Sequence, residues 1–137
     1  SMKENNCIFC KLANGEIPTK AIYEDSDFKV ILDVNPATRG HVLILPKEHY
    51  ADIYDLPDRL ASKSMALAKQ LSLHMKEKLE FDGLNIIQNN GEAAGQTIFH
   101  YHLHLIPRYE QDQQHMLWEP RTSTEEELLQ LKELLEF

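Results

Sequence analysis

The chain has 137 residues, of which 42% are apolar and 26% are charged, and its formal net charge is −8. This length suits one domain that buries a core without the help of disulfides. The absence of any run of 18 apolar residues argues against a membrane-spanning helix, and the acidic balance argues against a nucleic acid or an anionic membrane as partner.

Both cysteines, Cys7 and Cys10, lie near the start of the chain. Cysteines this close together cannot connect distant elements, and the polar start gives no indication of an export signal, so the spacing indicates metal binding or redox chemistry. We therefore expect a cytoplasmic location. Ser1 precedes Met2 and is interpreted as an expression remnant, so the expected domain covers residues 2–137.

Three strands are predicted in the first third of the chain. Ala21–Tyr23 and Phe28–Leu32 are rich in β-formers, with a turn at Asp25–Asp27 between them. The third strand, His41–Leu45, is almost entirely apolar, as in a strand covered on both faces, and we expect Pro46 to end it.

A long helix is predicted from Pro57 to Leu79, because apolar or small residues recur at steps of three and four. Phe81–Gly83 should stop this helix, and Leu84–Gln88 should form the next strand. After a loop over residues 89–96, the sequence predicts a strand from Thr97 to Ile106.

The tail predicts a short final helix, because the hydroxyls of residues 122–124 precede Glu125–Glu127. Leu128, Leu131 and Leu135 would form its apolar stripe. Short connections between strands favour antiparallel pairing. The order of elements therefore predicts an α+β fold with a mostly antiparallel sheet, one long helix and a short C-terminal helix.

Three histidines, His100, His102 and His104, alternate along the last predicted strand. Because side chains alternate between the faces of a strand, the three imidazoles should share one face, roughly 6.5–7 Å apart. Two functional interpretations follow. The histidines could share one metal ion, or they could provide a nucleophile and acid–base groups near neutral pH.

The loop before the histidines favours a phosphate ligand over a bare ion. Gly91 and Gly95 allow the backbone to approach a ligand closely, and Gln96 and Thr97 offer hydrogen-bond donors.

These segments resemble the histidine triad (HIT) nucleotide-binding family, and most closely its Hint branch. The resemblance extends from about Cys7 to Arg108 and is carried by Ile31–Pro36, Gly40–Lys47 and Gly95–Ile106. It implies a HIT-like sheet and a single HIT domain over residues 2–137, with 109–137 as a variable tail. His104 stands where the galactose-1-phosphate uridylyltransferase branch carries glutamine, which argues against that branch.

The resemblance implies covalent catalysis at the α-phosphorus of a purine nucleotide derivative, such as a phosphoramidate or a dinucleoside polyphosphate. His102 would be the nucleophile and would form a nucleotidyl-histidine intermediate that water hydrolyses. His104 would contact the phosphate and share a proton with the leaving group, and His41 would support His102 through a hydrogen bond.

The same resemblance implies the nucleotide-binding residues. Asp33 would accept the ribose hydroxyls, Asn89 would lie near the phosphate and ribose, and Gln96 and Thr97 would stabilise the phosphoryl oxygens. The base would lie between apolar residues that could equally be ordinary core, namely Ile8, Phe9, Ile31 and Val34.

A structural zinc is also implied, because relatives from bacteria combine the two cysteines with two histidines. Here the four ligands would be Cys7, Cys10, His49 and His100, a closed tetrahedral set. The alternative is a reduced cysteine pair without metal. No organic cofactor is expected.

The resemblance further implies a homodimer that extends the sheet, to which exposed edge strands would be suited. Two other functions stay open at this point. One is a hydrolase in which His100, His102 and His104 share a catalytic zinc, and the other is a nucleotide-sensing dimer without catalysis.

Overall fold

The computed structural model describes residue 4 and residues 6–137. The interpretation of Ser1 and the expected domain start at residue 2 lie outside the described residues. In chain order the elements are α1 (Ile8–Ala13), β1 (Ala21–Glu24), β2 (Phe28–Leu32), β3 (Val42–Pro46), α2 (Asp58–Leu79), β4 (Gly83–Ile87), a 3₁₀ turn (Glu92–Ala94), β5 (Leu103–Arg108) and α3 (Glu125–Leu135).

The predicted α+β class is confirmed. The described strands form one antiparallel sheet in the order β1-β2-β3-β5-β4. The long helix and the final helix both form where they were predicted, and Thr124 caps α3 by accepting a hydrogen bond from the Glu127 N–H at 3.1 Å. Within the described residues, no helix is long and apolar enough to cross a membrane.

The two faces of the sheet are covered by different helices. On one face, alternate strand residues such as Val30, Ile44 and Leu105 pack in a cluster with α2. On the other face, Leu43 and neighbouring apolar residues pack with Phe9 of α1. Since His104 pairs with Leu43 across β3 and β5, its side chain lies on the same face as α1. The short helix α1, which the sequence analysis did not predict, therefore lies beside the histidines.

The predicted strand Thr97–Ile106 is too long at its start, because β5 begins only at Leu103. Backbone groups that would have to pair with a neighbouring strand already form other hydrogen bonds. The Ile98 carbonyl accepts from the Gln96 side chain at 3.2 Å, the His100 carbonyl accepts from the His102 ring at 2.7 Å, and the Tyr101 N–H donates to the Tyr50 carbonyl. Of the three histidines, only His104 lies in regular strand.

Two smaller differences concern the ends of elements. Pro46 is the last residue of β3, as predicted, whereas Pro107 lies within β5, which continues to Arg108. Gly83 was expected only to stop the preceding helix, yet it begins β4. The helix instead ends through Glu80, whose backbone adopts the left-handed conformation at φ 53°.

Candidate active site and metal centre

A cavity of about 810 Å³ opens on the α1 side of the sheet. Its walls come from α1, from the end of β2 with the loop that follows, and from the segment around the histidines. Most of the residues predicted to bind nucleotide line it: Ile8, Phe9, Ile31, Asp33, Val34, Asn89, Thr97, His102 and His104. His41 and Gln96 do not.

The ring of His102 is held by the backbone. Its Nδ1 lies 2.7 Å from the His100 carbonyl oxygen. A carbonyl can only accept, so we assign the proton to Nδ1, which leaves the lone pair on Nε2. Burial lowers the pKa of His102 below its ordinary value, and the ring lines the cavity with its edge against Phe9. His102 is therefore a neutral imidazole with one free nucleophilic nitrogen.

A hydrogen-bond chain fixes the tautomer of His104. The Ala37 N–H donates to Nδ1 of His41 at 2.9 Å, so the His41 proton must be on Nε2. That Nε2 lies 3.0 Å from Nδ1 of His104 and 3.5 Å from the Asp33 carboxylate. His104 consequently accepts at Nδ1 and carries its own proton on Nε2. Burial lowers the pKa of both rings, that of His104 to about 4.

The hydrogen-bond chain through His41 reaches a different histidine from the one predicted. His41 was expected to hydrogen bond to His102, whereas the structure places it against His104. The support for His102 comes from the His100 carbonyl instead.

The apolar residues of the cavity divide into a floor and a rim. Phe9 and Ile31 are buried at 7% and 3% exposure, whereas Ile8 and Val34 are exposed at 44% and 84%. The buried pair also belongs to the core cluster under α1. An incoming aromatic base would thus cover apolar surface that the rim residues now leave open to water.

The cavity lining also contains polar side chains. Asn89 and Thr97 line it together with Gly95. Gly95 has φ 96°, and a Cβ at this position would lie 3.6 Å from the Asn89 amide nitrogen. The contact with Asn89 would be an ordinary one, so it is the left-handed backbone conformation that favours glycine here.

The side chain of Gln96 has a different place from the one expected. It is 2% exposed, accepts from the Gly91 N–H at 2.8 Å and donates to the Ala51 carbonyl at 2.7 Å. Its amide is therefore used to hold the loop, and this geometry gives no support to a direct contact between the side chain and phosphate.

The four residues predicted to hold zinc meet at one place. Their ligand atoms, from Cys7, Cys10, His49 and His100, all lie within 4.8 Å of one another. The His100 Nδ1 is 3.4 Å from each cysteine sulfur, and the His49 Nδ1 is 3.4 Å from the Cys10 sulfur. Tetrahedral zinc with ordinary bond lengths separates a sulfur and a nitrogen ligand by about 3.6 Å. The spacing therefore fits the metal.

The donor chemistry fits as well. The Nε2 of His100 donates to the Pro46 carbonyl at 2.8 Å, so the bare lone pair is on Nδ1 and faces the sulfurs. Burial raises the pKa of the Cys10 thiol to about 11, and a bound cation would supply the charge that lets such a thiol ionise near neutral pH.

A second group of ligand-type atoms, from Asp33, His41 and His104, does not fit a metal equally well. Because His41 Nδ1 accepts from the backbone, its Nε2 carries a proton and has no lone pair to offer. The triplet His100, His102 and His104 fits no better as one shared site, since His100 faces the thiols and His104 faces His41.

Several residues of the site leave no signal in the sequence. Lys20 and Pro18 line the cavity, and the Pro46 carbonyl sets the tautomer of His100. The first two lie in a segment without hydrophobic periodicity, and a backbone carbonyl leaves no signal in sequence, so nothing in the pattern pointed to them.

Comparison with known proteins finds that the HIT domain family matches residues 14–111. An uncharacterised HIT-like protein of Methanocaldococcus jannaschii is 47% identical over 106 residues, or 77% of this chain and 81% of that protein. Adenylylsulfatase HINT3 of Arabidopsis thaliana is 41% identical over 112 residues, or 82% and 57% of the two chains. Adenosine 5′-monophosphoramidase HNT1 of Saccharomyces cerevisiae is 42% identical over 102 residues, or 74% and 62%.

Solved structures show the same fold. A protein from Streptococcus mutans superposes with a TM-score of 0.92 at 38% identity, covering 97% of this chain and 85% of that one. A zinc-bound histidine triad family protein from Mycobacterium smegmatis gives a TM-score of 0.76 at 40% identity, covering 85% and 84%. Sequence and fold therefore point to the same family.

Proposed function

This chain belongs to the HIT domain family, and from that premise we propose that it is a nucleotide hydrolase or transferase that cleaves at the α-phosphorus of purine nucleotide derivatives. Phosphoramidates and dinucleoside polyphosphates are the substrate classes that we propose. Two relatives support this proposal, because one is an adenylylsulfatase and the other is an adenosine 5′-monophosphoramidase.

The observation that carries the proposal is the tautomer of His102. With its proton on Nδ1, the ring directs the Nε2 lone pair to an electrophile in the cavity. In the first step Nε2 forms a bond to phosphorus, and the bond from phosphorus to the leaving group breaks. The ring becomes a phosphorylated imidazolium, and its Nδ1–H donates to the His100 carbonyl, which stabilises the new positive charge. Water then cleaves the N–P bond and releases the nucleoside monophosphate.

His104 is suited to the phosphoryl oxygens and the leaving group. The chain from Ala37 through His41 leaves a proton on its Nε2, so it can donate to an anionic oxygen and share that proton with the departing group. Thr97 and Asn89 add donors to the lining of the same cavity. In this proposal Asp33 accepts the ribose hydroxyls, and the base lies over Phe9 and Ile31.

We also propose that Cys7, Cys10, His49 and His100 hold a structural zinc. Four protein ligands would close the site to substrate, so the metal would attach α1 to the histidine segment without taking part in the reaction. The zinc-bound relative from Mycobacterium smegmatis supports this assignment. The reduced pair Cys7 and Cys10 also suits the cytoplasmic location that we propose.

A homodimer is the last part of the proposal. β4 is an edge strand of the sheet, and its Ile86 is 40% exposed. An apolar edge of this kind favours pairing with the same edge of a second copy.

Mass spectrometry of protein quenched during turnover tests the chemistry. We expect an adduct of one nucleoside monophosphate on the peptide that contains His102, and its loss in His102→Ala. The matched control is His74→Ala, an exposed position on α2, which should keep the adduct. An adduct on another residue would contradict the assignment. Activity that disappears when a chelator removes zinc, and returns with zinc, would favour the metal-dependent alternative.

A further inference from the structure

Asp33 lies where the cavity meets the hydrogen-bonded pair of His41 and His104. Its carboxylate is 3.5 Å from the His41 Nε2, and ligand-type atoms of all three residues lie within 4.8 Å of one another. Among the described residues that line the cavity, Asp33 is the only acid. We propose that Asp33, besides contacting the ribose, supplies the negative charge that stabilises the imidazolium formed on His102 during the reaction. The inference rests on the proposed function and gives a second role to a residue that the proposal uses only for binding.

Backbone hydrogen bonds hold the Asp33 carboxylate in place. The Asp33 N–H donates to the His41 carbonyl at 3.0 Å, and Oδ1 of Asp33 accepts from the Asn35 N–H at 2.8 Å. The side chain is only 19% exposed. Within the part of the chain that the structure describes, no lysine or arginine forms an ion pair with Asp33. Its negative charge is therefore fixed beside the histidines and is not taken up by a cationic side chain.

The charge of Asp33 acts in the same direction on three histidine rings of the site. Burial lowers the pKa of His41, His102 and His104, and the charge of Asp33 opposes this lowering in each of them. The rings of His102 and His104 are neighbours, with centroids 4.8 Å apart. An anion that favours the charged form of a resting ring also favours any state of the reaction in which that ring is positive.

The first step of the proposed reaction creates such a state. Nε2 of His102 forms a bond to phosphorus, the bond from phosphorus to the leaving group breaks, and the ring gains one positive charge. Before this step Asp33 faces a neutral ring and an anionic phosphate, so its charge does not help the phosphate to bind. The charge of Asp33 therefore stabilises the transition state more than the bound substrate, and it should raise the rate of the first step without tightening substrate binding.

The experiment separates this role from ribose binding by removing the ribose hydroxyls from the substrate. Quenched flow measures the maximal rate of adduct formation from adenosine 5′-phosphoramidate and from its 2′,3′-dideoxy analogue. Asp33→Asn keeps an oxygen that can accept from the Asn35 N–H but carries no charge. With the dideoxy substrate we expect this variant to lower the maximal rate roughly 10-fold or more, as for the loss of a nearby opposite charge, and to leave the half-saturating concentration unchanged. Asp55→Asn removes the same charge at an exposed position and should alter neither quantity.

Two further variants decide whether charge or shape matters. Asp33→Ser also lacks the charge, its hydroxyl can accept from the Asn35 N–H, and it should lose as much rate as Asp33→Asn. Asp33→Glu keeps the charge and should recover part of the lost rate.

Two outcomes would overturn the inference while leaving the proposed function intact. One is an unchanged maximal rate with the dideoxy substrate in both uncharged variants, which would mean that Asp33 acts only through the ribose hydroxyls. The other is an equal loss in Asp33→Asn and Asp33→Glu, because the loss would then follow the shape of the side chain and not its charge. The absence of any adduct on His102 in the unchanged protein would instead overturn the proposed function, and the role of Asp33 with it.

Discussion

Two groups of histidines lie side by side on one face of the sheet. The proposed metal group contains His49 and His100, and the proposed catalytic group contains His41, His102 and His104. The comparison of His100 with His102 shows that different ring nitrogens face a backbone carbonyl. At His100 the Pro46 carbonyl takes the Nε2 proton, so Nδ1 is bare and faces two thiols. At His102 the His100 carbonyl takes the Nδ1 proton, so Nε2 is bare beside the cavity. Residues two positions apart are thus suited to opposite tasks. The comparison teaches that the position of a backbone carbonyl, and not the residue type, decides which ring nitrogen of a histidine keeps its lone pair available.

The two groups are also connected, because His100 belongs to both. Its ring points to the cysteines while its carbonyl orients the ring of His102. α1 adds a second connection, since it begins at the proposed metal ligands and carries Phe9, whose ring contacts His102. The metal group should therefore influence the cavity through position, and the catalytic group should not influence metal content at all.

The sharpest test of this separation is His102→Ala. Removing the nucleophile should lower kcat by roughly 10⁴-fold or more, because no other group supplies the covalent route. Zinc content, measured by elemental analysis, should stay the same as in the unchanged protein, and nucleotide binding measured by calorimetry should persist. Turnover that survives the substitution would point to a different nucleophile, whereas nucleotide binding without turnover in the unchanged protein would favour the nucleotide-sensing alternative.

Loss of the metal group should act mainly on stability and on substrate binding. In Cys10→Ser we expect zinc to be lost and the melting temperature to fall by on the order of 10 °C, since metal binding contributes several kcal/mol to folding. KM should rise more than kcat falls, because α1 carries Ile8 and Phe9 of the cavity.

Steady-state kinetics and calorimetry of Cys10→Ser check both expectations, with Ala13→Ser on the same helix as a control for packing alone. A loss of kcat as large as that of His102→Ala would break the comparison, since it would make the metal part of the reaction.

How much of this could be read from the sequence depends on whether side chains or backbone carry the signal. The Cys7–Cys10 spacing and the hydroxyl cap of α3 are side-chain patterns, and the structure brings the two cysteines beside His49 and His100 and forms the predicted cap. The start of β5 could not be predicted, because the alternation of His100 and His102 imitates a strand while the rings and Gln96 occupy the backbone carbonyls. The prediction of the hydrogen-bond partner of His41 was also wrong. The orientation of the His41 ring depends on the Ala37 N–H, which is a backbone group and leaves no signal in the sequence.

Within the catalytic group, His41 should act as a positioning residue. It touches His104 and not the cavity, so His41→Ala should lower kcat by about 100-fold, the lower range of acid–base effects, and should leave KM nearly unchanged. His41→Gln keeps an amide N–H that can donate to His104 and should recover part of the loss. His115→Ala, at an exposed position, is the control. Equal losses in the alanine and glutamine variants would mean that His41 only fills space.

The smallest effect is expected in the pH profile. This profile distinguishes a buried, neutral His102 ring from a solvated ring with the ordinary pKa. Burial lowers the pKa of His102, and that of His104 to about 4. A lowered pKa means that the neutral nucleophile persists as the pH falls, and activity is lost only below the ordinary histidine value. A ring with the ordinary pKa of about 6.5 would be only about one quarter neutral at pH 6. We therefore expect kcat/KM at pH 6 to stay within about twofold of its value at pH 7.5, measured on zinc-loaded protein at constant ionic strength. A half-maximal point at or above pH 6.5 would show that the ring is solvated, and the contrast between a buried neutral nucleophile and a buried metal ligand would then be lost.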